Sequence, residues 1–159
     1  MDLRFLHKGK QRITYLLENV PVDPSGSLEL QSHWARYTCV VMSGFLEDSI
    51  KIVLSRYAEE RSPRTVADYV SAQLYFFQNA NTDEIGRLLK KFSAEWNKEF
   101  QAFLSEERKA AVNSIVGNRH RVAHGQDCVV TIGQLKAWYP MASDVVDLIV
   151  KFTQAEIVN

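Results

Sequence analysis

The stretch Leu28–Arg61, "LELQSHWARYTCVVMSGFLEDSIKIVLSRYAEER", decides the fold class of this chain. It contains no proline, and Gly44 is its one glycine. Large apolar residues recur along it at three- and four-residue steps, which is the spacing of a helix face: Trp34, Tyr37, Val41, Phe45, Leu46, Ile50, Val53 and Leu54. The stretch therefore predicts one long α-helix.

Helical spacing continues on both sides of this stretch. Leu3 to Leu17 predicts a first helix, which ends at the Pro-, Gly- and Ser-rich segment "NVPVDPSGS". Ser62 and Pro63 are typical of an N-cap followed by proline at the first helical position. Further helices are expected from Val66, from Thr82, from Ser93 to Leu104, after Ser105 and after Thr131.

Local signals also mark the helix ends. Asn81 with Glu84 and Thr131 with Gln134 have the spacing of capping boxes. Gly125 is a natural residue for the position just after a helix. Pro140 is expected to kink or divide the last helix.

The pattern predicts an all-α chain, a helical bundle of about six to eight helices with two long antiparallel core helices. We expect residues 1–159 to form a single domain. The segment "DCVVTI", residues 127–132, is the only plausible short strand. Aromatic residues at helical spacing are expected in the core rather than stacked on bases: Trp34, Tyr37, Tyr69, Tyr75, Phe76 and Phe77.

Charge and cysteine content limit the function classes. Nineteen Lys and Arg balance nineteen Asp and Glu, so binding to nucleic acid must rely on a local basic patch. Cys39 and Cys128 make no disulfide framework, which favours a reducing compartment. The N-terminus is too polar for a signal peptide and no apolar run has membrane-spanning length. We expect a cytoplasmic protein with no membrane contact.

The segment "NRHRVAHG", residues 118–125, gathers basic and imidazole side chains at the end of a helix. Arg119 follows Val112, Ile115 and Val116 by seven, four and three positions, so it continues the apolar stripe. A long side chain there can bury its stem and present a guanidinium that fits two phosphate oxygens at once.

His124 has the side chain best suited to move protons near neutral pH. It lies about 140° around an ideal helix from Arg119, so the two converge only if the last turn loosens or a second copy contributes. Such a pair fits RNA cleavage, because the 2′-hydroxyl is the nucleophile and no metal is needed. Alternatively, basic residues here only complement the helix dipole, and Arg121 fits either this reading or phosphate steering.

"NRHRVAHG" resembles the Arg-x4-6-His motif of the HEPN superfamily. Together with "SGFLEDSIK" and "YFFQNANTDEIGRLLKKF", in that order, the stretch from Trp34 to Gly125 resembles the RiboL-PSP type of HEPN domain. The resemblance implies an α-helical bundle and a homodimer with a composite active site. It also implies a metal-independent endoribonuclease in a toxin–antitoxin or antiviral defence context, with RNA as substrate and an antitoxin or defence protein as a further partner.

The resemblance assigns roles to single residues. Arg119 and His124 become the catalytic pair, and Asn118 a polar neighbour that orients them or the scissile phosphate. We add His120 as a supporting residue and Arg121 as an RNA-binding one. The tyrosine two residues after the histidine in the HEPN partners of minimal nucleotidyltransferases is replaced by Gln126, which argues against that subgroup.

Two further features have alternative explanations. Glu47 either points into the cleft and holds Arg119 or His124, or pairs with Lys51 on an exposed face. His120, His124 and Cys128 are spaced four apart, but Gly125 is expected to end the helix and no fourth ligand is evident. We therefore predict no metal site and no cofactor.

Two other functions compete with the nuclease. A non-catalytic HEPN module would bind RNA or protein without cleaving it. A purely structural helical domain would use the basic helix end only as a dipole complement.

Overall fold

The computed structural model of the chain describes residues 3–155. In this range it contains seven α-helices: α1 (Arg4–Glu18), α2 (Glu29–Arg61), α3 (Arg64–Tyr75), α4 (Thr82–Phe92), α5 (Ala94–Phe103), α6 (Glu106–Ala123) and α7 (Ile132–Ala155). The prediction of an all-α bundle is confirmed.

The central helix is α2. Helices α1, α3, α6 and α7 all pack against it. Its buried residues therefore lie on several sides rather than on one stripe, as expected for a helix enclosed by others. They include Cys39, Met42, Leu46, Ile50 and Val53.

Helix α6 runs antiparallel to α2. The Cys39 thiol, early in α2, lies 3.5 Å from the Ile115 carbonyl oxygen, late in α6. Arg36 Nε donates to the Cys128 carbonyl just beyond the end of α6 (3.2 Å). The start of α2 therefore lies beside the end of α6.

Helix α7 returns along α6 in the opposite direction. Arg108, in the first turn of α6, lies 3.6 Å from Asp144 in the middle of α7. Near the ends of α2 and α7, an aromatic cluster joins these helices to α4 and α5: Tyr57, Phe92, Trp96 and Phe152. Helices α4, α5 and α7 are thereby tied to the central helix.

Helix α1 closes the remaining side of α2 and α7. Trp34 Nε1 donates to the Leu16 carbonyl (2.8 Å), and Lys10 forms an ion pair with Asp147 (2.6 Å). The capping predictions for α6 and α7 are confirmed. Ser105 Oγ accepts the Arg108 N–H, and Thr131 and Gln134 bond each other reciprocally.

The strand prediction for "DCVVTI" is wrong. Residues 127–131 form an irregular connection, Ile132 already belongs to α7, and residues 3–155 contain no strand. Cys128 and Val130 are buried while Val129 is exposed. The alternation in the sequence therefore reflects an extended segment lying on helices, without a partner strand.

The prediction for Pro63 is corrected, and of the two outcomes expected at Pro140, division of the last helix does not occur. Pro63 is the N-cap of α3 rather than its first residue, and Ser62 Oγ instead bonds the Ala58 carbonyl at the end of α2. Pro140 does not divide the last helix, which continues through it. Pro140 and Lys136 are both exposed, so water can satisfy the Lys136 carbonyl that loses its helical partner.

Four of the aromatic residues expected in the core are exposed: Tyr37, Tyr69, Tyr75 and Phe76. Three of them belong to α3 or follow it directly. Helix α3 packs against α2, and its other faces meet solvent. Helical spacing alone did not distinguish these faces.

The part of the chain that the structure describes has no helix both long enough and apolar enough to cross a membrane.

Leu46→Ala should lower the free energy of unfolding by about 2–5 kcal/mol, because Leu46 is fully buried at the centre of α2 and the truncation leaves a cavity. Leu30→Ala is the matched control, since Leu30 lies on the same helix but is 42% exposed, and should change it by less than about 1 kcal/mol. Urea unfolding followed by circular dichroism measures both. Equal effects of the two substitutions would contradict the assignment of the core.

The buried Cys39 thiol should make the free energy of unfolding depend on pH. Burial, followed by the nearby Cys128, raises the pKa of Cys39 from 9.0 to about 12. The Arg119 backbone acts in the opposite direction and lowers this pKa. Between these values the unfolded thiol has lost its proton while the folded one keeps it, so the free energy of unfolding falls as pH rises. Cys39→Ala should make this alkaline decline shallower; an unchanged slope between pH 9 and pH 11, the lower part of that window, would be inconsistent with the buried thiol.

Candidate functional site

The end of α6 is a complete glycine C-cap. His124 is the C-cap residue and Gly125 has a φ of +64°, in the left-handed region. The Gly125 N–H donates to the Val122 carbonyl (3.2 Å) and the Gln126 N–H to the Arg121 carbonyl (2.9 Å). These two bonds define a Schellman motif, which fixes where the helix stops.

Two imidazoles meet at this helix end. The ring centroids of His120 and His124 are 4.3 Å apart, with the ring planes at 53°. Both residues are exposed. One turn of helix separates them, so their side chains lie on the same face, and the site offers two adjacent proton-transfer groups to solvent.

The Arg119 guanidinium is free to bind a ligand. Within residues 3–155 its side chain makes no hydrogen bond and no ion pair, and the residue is half-buried. One turn earlier, the Ile115 carbonyl oxygen lies 3.5 Å from the Cys39 thiol in α2. The turn that carries Arg119 therefore begins at the core, while the charged end of the Arg119 side chain has no protein partner in the described part.

No hydrogen bond or ring contact joins Arg119 to His124 in the described single chain. This agrees with their angular separation on an ideal helix. The structure brings His124 together with His120, and leaves Arg119 on the neighbouring face. The described single chain therefore contains no bond that unites the catalytic pair expected from the sequence.

Asn118 has structural contacts. Its Nδ2 donates to the Ser114 carbonyl (2.9 Å), and its Oδ1 lies 3.3 Å from the Cys128 thiol. Both ends of the amide are therefore engaged in tying the segment after α6 back onto the helix. Asn118 can help to position Arg119, its neighbour in the chain, by fixing the backbone. Because both ends of its amide are already bonded, it is poorly placed to bind a phosphate.

Glu47 lies away from both predicted partners. Its carboxylate accepts from Lys51 Nζ (2.9 Å) and from the backbone N–H of Asn79 (3.0 Å). The contact with Lys51 matches the alternative interpretation. The contact with Asn79 is an additional hydrogen bond to the connection between α3 and α4. Asn79 has a φ of 54°, so Glu47 holds a turn with an uncommon backbone conformation.

A polar groove of about 610 Å³ lies beside the helix end, between α6 and the start of α4. We call it the α4–α6 groove. Asn79, Asn81, Asn113, Gly117, His120 and Arg121 are among the residues that line it. It thus borders on His120 and Arg121, whereas Arg119 and His124 lie outside it.

Sequence reasoning missed the wall formed by the three asparagines. Asn113 was the one available signal, because it is a polar residue next to the apolar stripe of α6. Its Oδ1 accepts from the backbone N–H of Thr82 (2.9 Å) and from the Thr82 hydroxyl (3.2 Å). This amide joins α6 to α4 and so shapes the groove.

The spacing of His120, His124 and Cys128 raises the question of a metal site. Over residues 3–155, no three His, Cys, Asp or Glu side chains lie close enough together to hold a metal ion. The buried Cys128 thiol bonds Asn118 instead.

The fold and the site together define an all-α domain with an unpaired arginine and an exposed histidine pair at the end of a late helix. The family model described as RiboL-PSP-HEPN matches residues 6–155. The chain belongs to the RiboL-PSP-HEPN family, and the resemblance inferred from the sequence is confirmed. No curated protein and no solved structure matches the chain.

Gly125→Ala should lower the free energy of unfolding by about 1–2 kcal/mol, because the left-handed backbone disfavours a Cβ. Gly44→Ala is the matched control. Gly44 is exposed within α2 and a Cβ there meets no atom within 4 Å, so alanine should raise the same quantity by roughly 0.5–1 kcal/mol. Thermal and urea unfolding report both changes. Opposite signs are expected, and a loss at both positions would argue against the cap.

Proposed function

We propose that the protein is a metal-independent endoribonuclease of the HEPN type. Membership of the RiboL-PSP-HEPN family suggests a nuclease or RNA-related function. The observation that carries the proposal is a guanidinium without a protein partner, on the same helix end as two exposed imidazoles 4.3 Å apart. These are the groups that RNA cleavage without a metal requires.

In the proposed reaction, His124 takes the proton of a ribose 2′-hydroxyl. The 2′-oxygen attacks the adjacent phosphorus while Arg119 neutralises the charge that develops on the non-bridging oxygens. The bond from phosphorus to the 5′-oxygen breaks, and that oxygen receives a proton. The products are a 2′,3′-cyclic phosphate and a 5′-hydroxyl, and DNA is not a substrate because it lacks the nucleophile.

His120 is the second proton-transfer group in this proposal. It lies against His124, so one imidazole can act as base while the other donates to the leaving 5′-oxygen. Arg121 binds a neighbouring phosphate from the groove. Asn118 and Glu47 support the site indirectly, by holding the segment after α6 and the turn at Asn79.

The proposed active form is a homodimer. No hydrogen bond or ring contact joins Arg119 to His124 within residues 3–155 of one chain, and a two-fold arrangement lets each copy supply one member of the pair. Two such helix ends repel each other unless an anion or carboxylate lies between them. Substrate phosphate therefore stabilises the assembly that cleaves it.

The proposed cellular setting is the cytoplasm. Two reduced, buried cysteines suit the cytoplasm. The family resemblance supports a role in defence or in a toxin–antitoxin pair, with a partner protein that restrains the nuclease. A non-catalytic RNA- or protein-binding module is the second candidate, favoured by the separation of Arg119 from His124 in the single chain.

Purified protein should cleave single-stranded RNA in the presence of EDTA. Arg119→Ala should lower the cleavage rate by about 10²–10³-fold, as for removal of one group that stabilises transition-state charge. His124→Ala should lower it by about 10²–10⁴-fold, and His120→Ala by less, because His124 retains the base role. End analysis of the products measures the cyclic phosphate.

Arg64→Ala is the control, because Arg64 is an exposed arginine on α3 whose ion pair is with Asp68; its rate should stay unchanged. An RNA with a single 2′-deoxy residue at the cleavage position should resist the enzyme. RNA binding without cleavage, insensitive to His124→Ala, would replace the nuclease proposal with the binding module.

A further inference from the structure

Val116 and Gly117 of α6 are the residues without a polar side chain in the lining of the α4–α6 groove. A Cβ built on Gly117 meets no atom within 4 Å. The space above α6 at this point is therefore open. A planar group can lie there without displacing a side chain.

The wall of the groove presents amide groups whose orientation is settled by their bonds. Asn113 Oδ1 accepts from Thr82, and Asn81 Oδ1 accepts the Glu84 N–H at the start of α4 (2.9 Å). An amide oxygen that accepts from a backbone N–H leaves the NH₂ as the other polar end. Neither Nδ2 has a hydrogen-bond partner among residues 3–155, so both remain available as donors.

Charge divides the groove into two sides. His120 and Arg121 lie on the α6 side, whereas Asp83 lies on the α4 side. A phosphate is attracted to the first and repelled by the second. A nucleotide in the groove would therefore place its phosphate towards α6 and its base towards the asparagines.

We infer that the α4–α6 groove binds the nucleotide next to the scissile phosphate and selects its base. The base lies over Gly117, and Asn81 and Asn113 donate to oxygen or nitrogen acceptors on its edge. The inference rests on the proposed nuclease function, because His120 connects the groove to His124 through their ring contact. Amide donors read base acceptors in this way in other nucleic-acid complexes.

Asn113→Asp and Asn81→Asp test the reading of the base. Each keeps the oxygen that caps α4 and replaces the outward NH₂ with a carboxylate oxygen, so the fold should be retained. Cleavage of a random RNA pool, read by sequencing the cut ends, should show the base preference at the position beside the cut weakened by about tenfold. Gln154→Glu is the control for added negative charge, since Gln154 is exposed near the end of α7.

Gly117→Leu tests occupancy of the groove, and Gly44→Leu is matched to it, since both glycines lie within helices and face open space. Binding is measured with 2′-O-methyl RNA, which cannot be cleaved, so this readout does not depend on catalysis. Gly117→Leu should weaken binding about tenfold or more, and Gly44→Leu should leave it unchanged.

The outcomes separate the two proposals. Wild-type protein that binds 2′-O-methyl RNA through the groove but cuts no RNA would reject the nuclease and keep the groove. Cleavage with a base preference that neither aspartate variant alters, together with normal binding by Gly117→Leu, would overturn the groove and keep the nuclease.

Discussion

The packing of α2 against four other helices is the constraint on which this structure depends. Because α2 is enclosed, a helix that packs on it presents its apolar stripe to α2 and its polar residues to solvent. Helix α6 does this through Ile115, whose carbonyl meets the Cys39 thiol. Arg119 lies one further turn along α6 and is half-buried. The site is thus positioned by the core rather than by a loop.

The end of α6 adds a second constraint. The Schellman bonds at Gly125 stop the helix at one residue, and the chain then turns so that the buried Cys128 lies against Asn118. The cap leaves His124 as the last residue before the turn, at the exposed end of the helix. This end depends on a backbone conformation at Gly125 that glycine adopts readily and other residues do not.

Much of the fold could be predicted from the sequence because its signals are local. The apolar spacing of α2 and the caps at Ser105 and Thr131 involve residues within a few positions of each other. Predictions failed where tertiary contacts decide. The alternating residues of "DCVVTI" belong to an extended segment that lies on helices, and the aromatic residues in and just after α3 are exposed to solvent.

The candidate site shows the same division. The basic cluster lies in one segment, so the sequence revealed it. The α4–α6 groove combines residues near positions 80, 117 and 126, and no local pattern connects them. Glu47 had two interpretations because its spacing to Lys51 suits a surface pair, whereas its bond to Asn79 spans 32 positions. Only the folded chain distinguishes between them.

The separation of Arg119 from His124 bears on how such an enzyme would be controlled. A chain with formal net charge zero has no general attraction for RNA, and its local basic groups lie on two faces of one helix end. In the described part of a single chain no bond joins Arg119 to His124, although the Arg119 side chain has no protein partner and both histidines are exposed. Activity would then depend on assembly, because a second copy supplies the missing member of the pair. A protein that covers the end of α6 would block both assembly and substrate, and so restrain the nuclease without altering its fold.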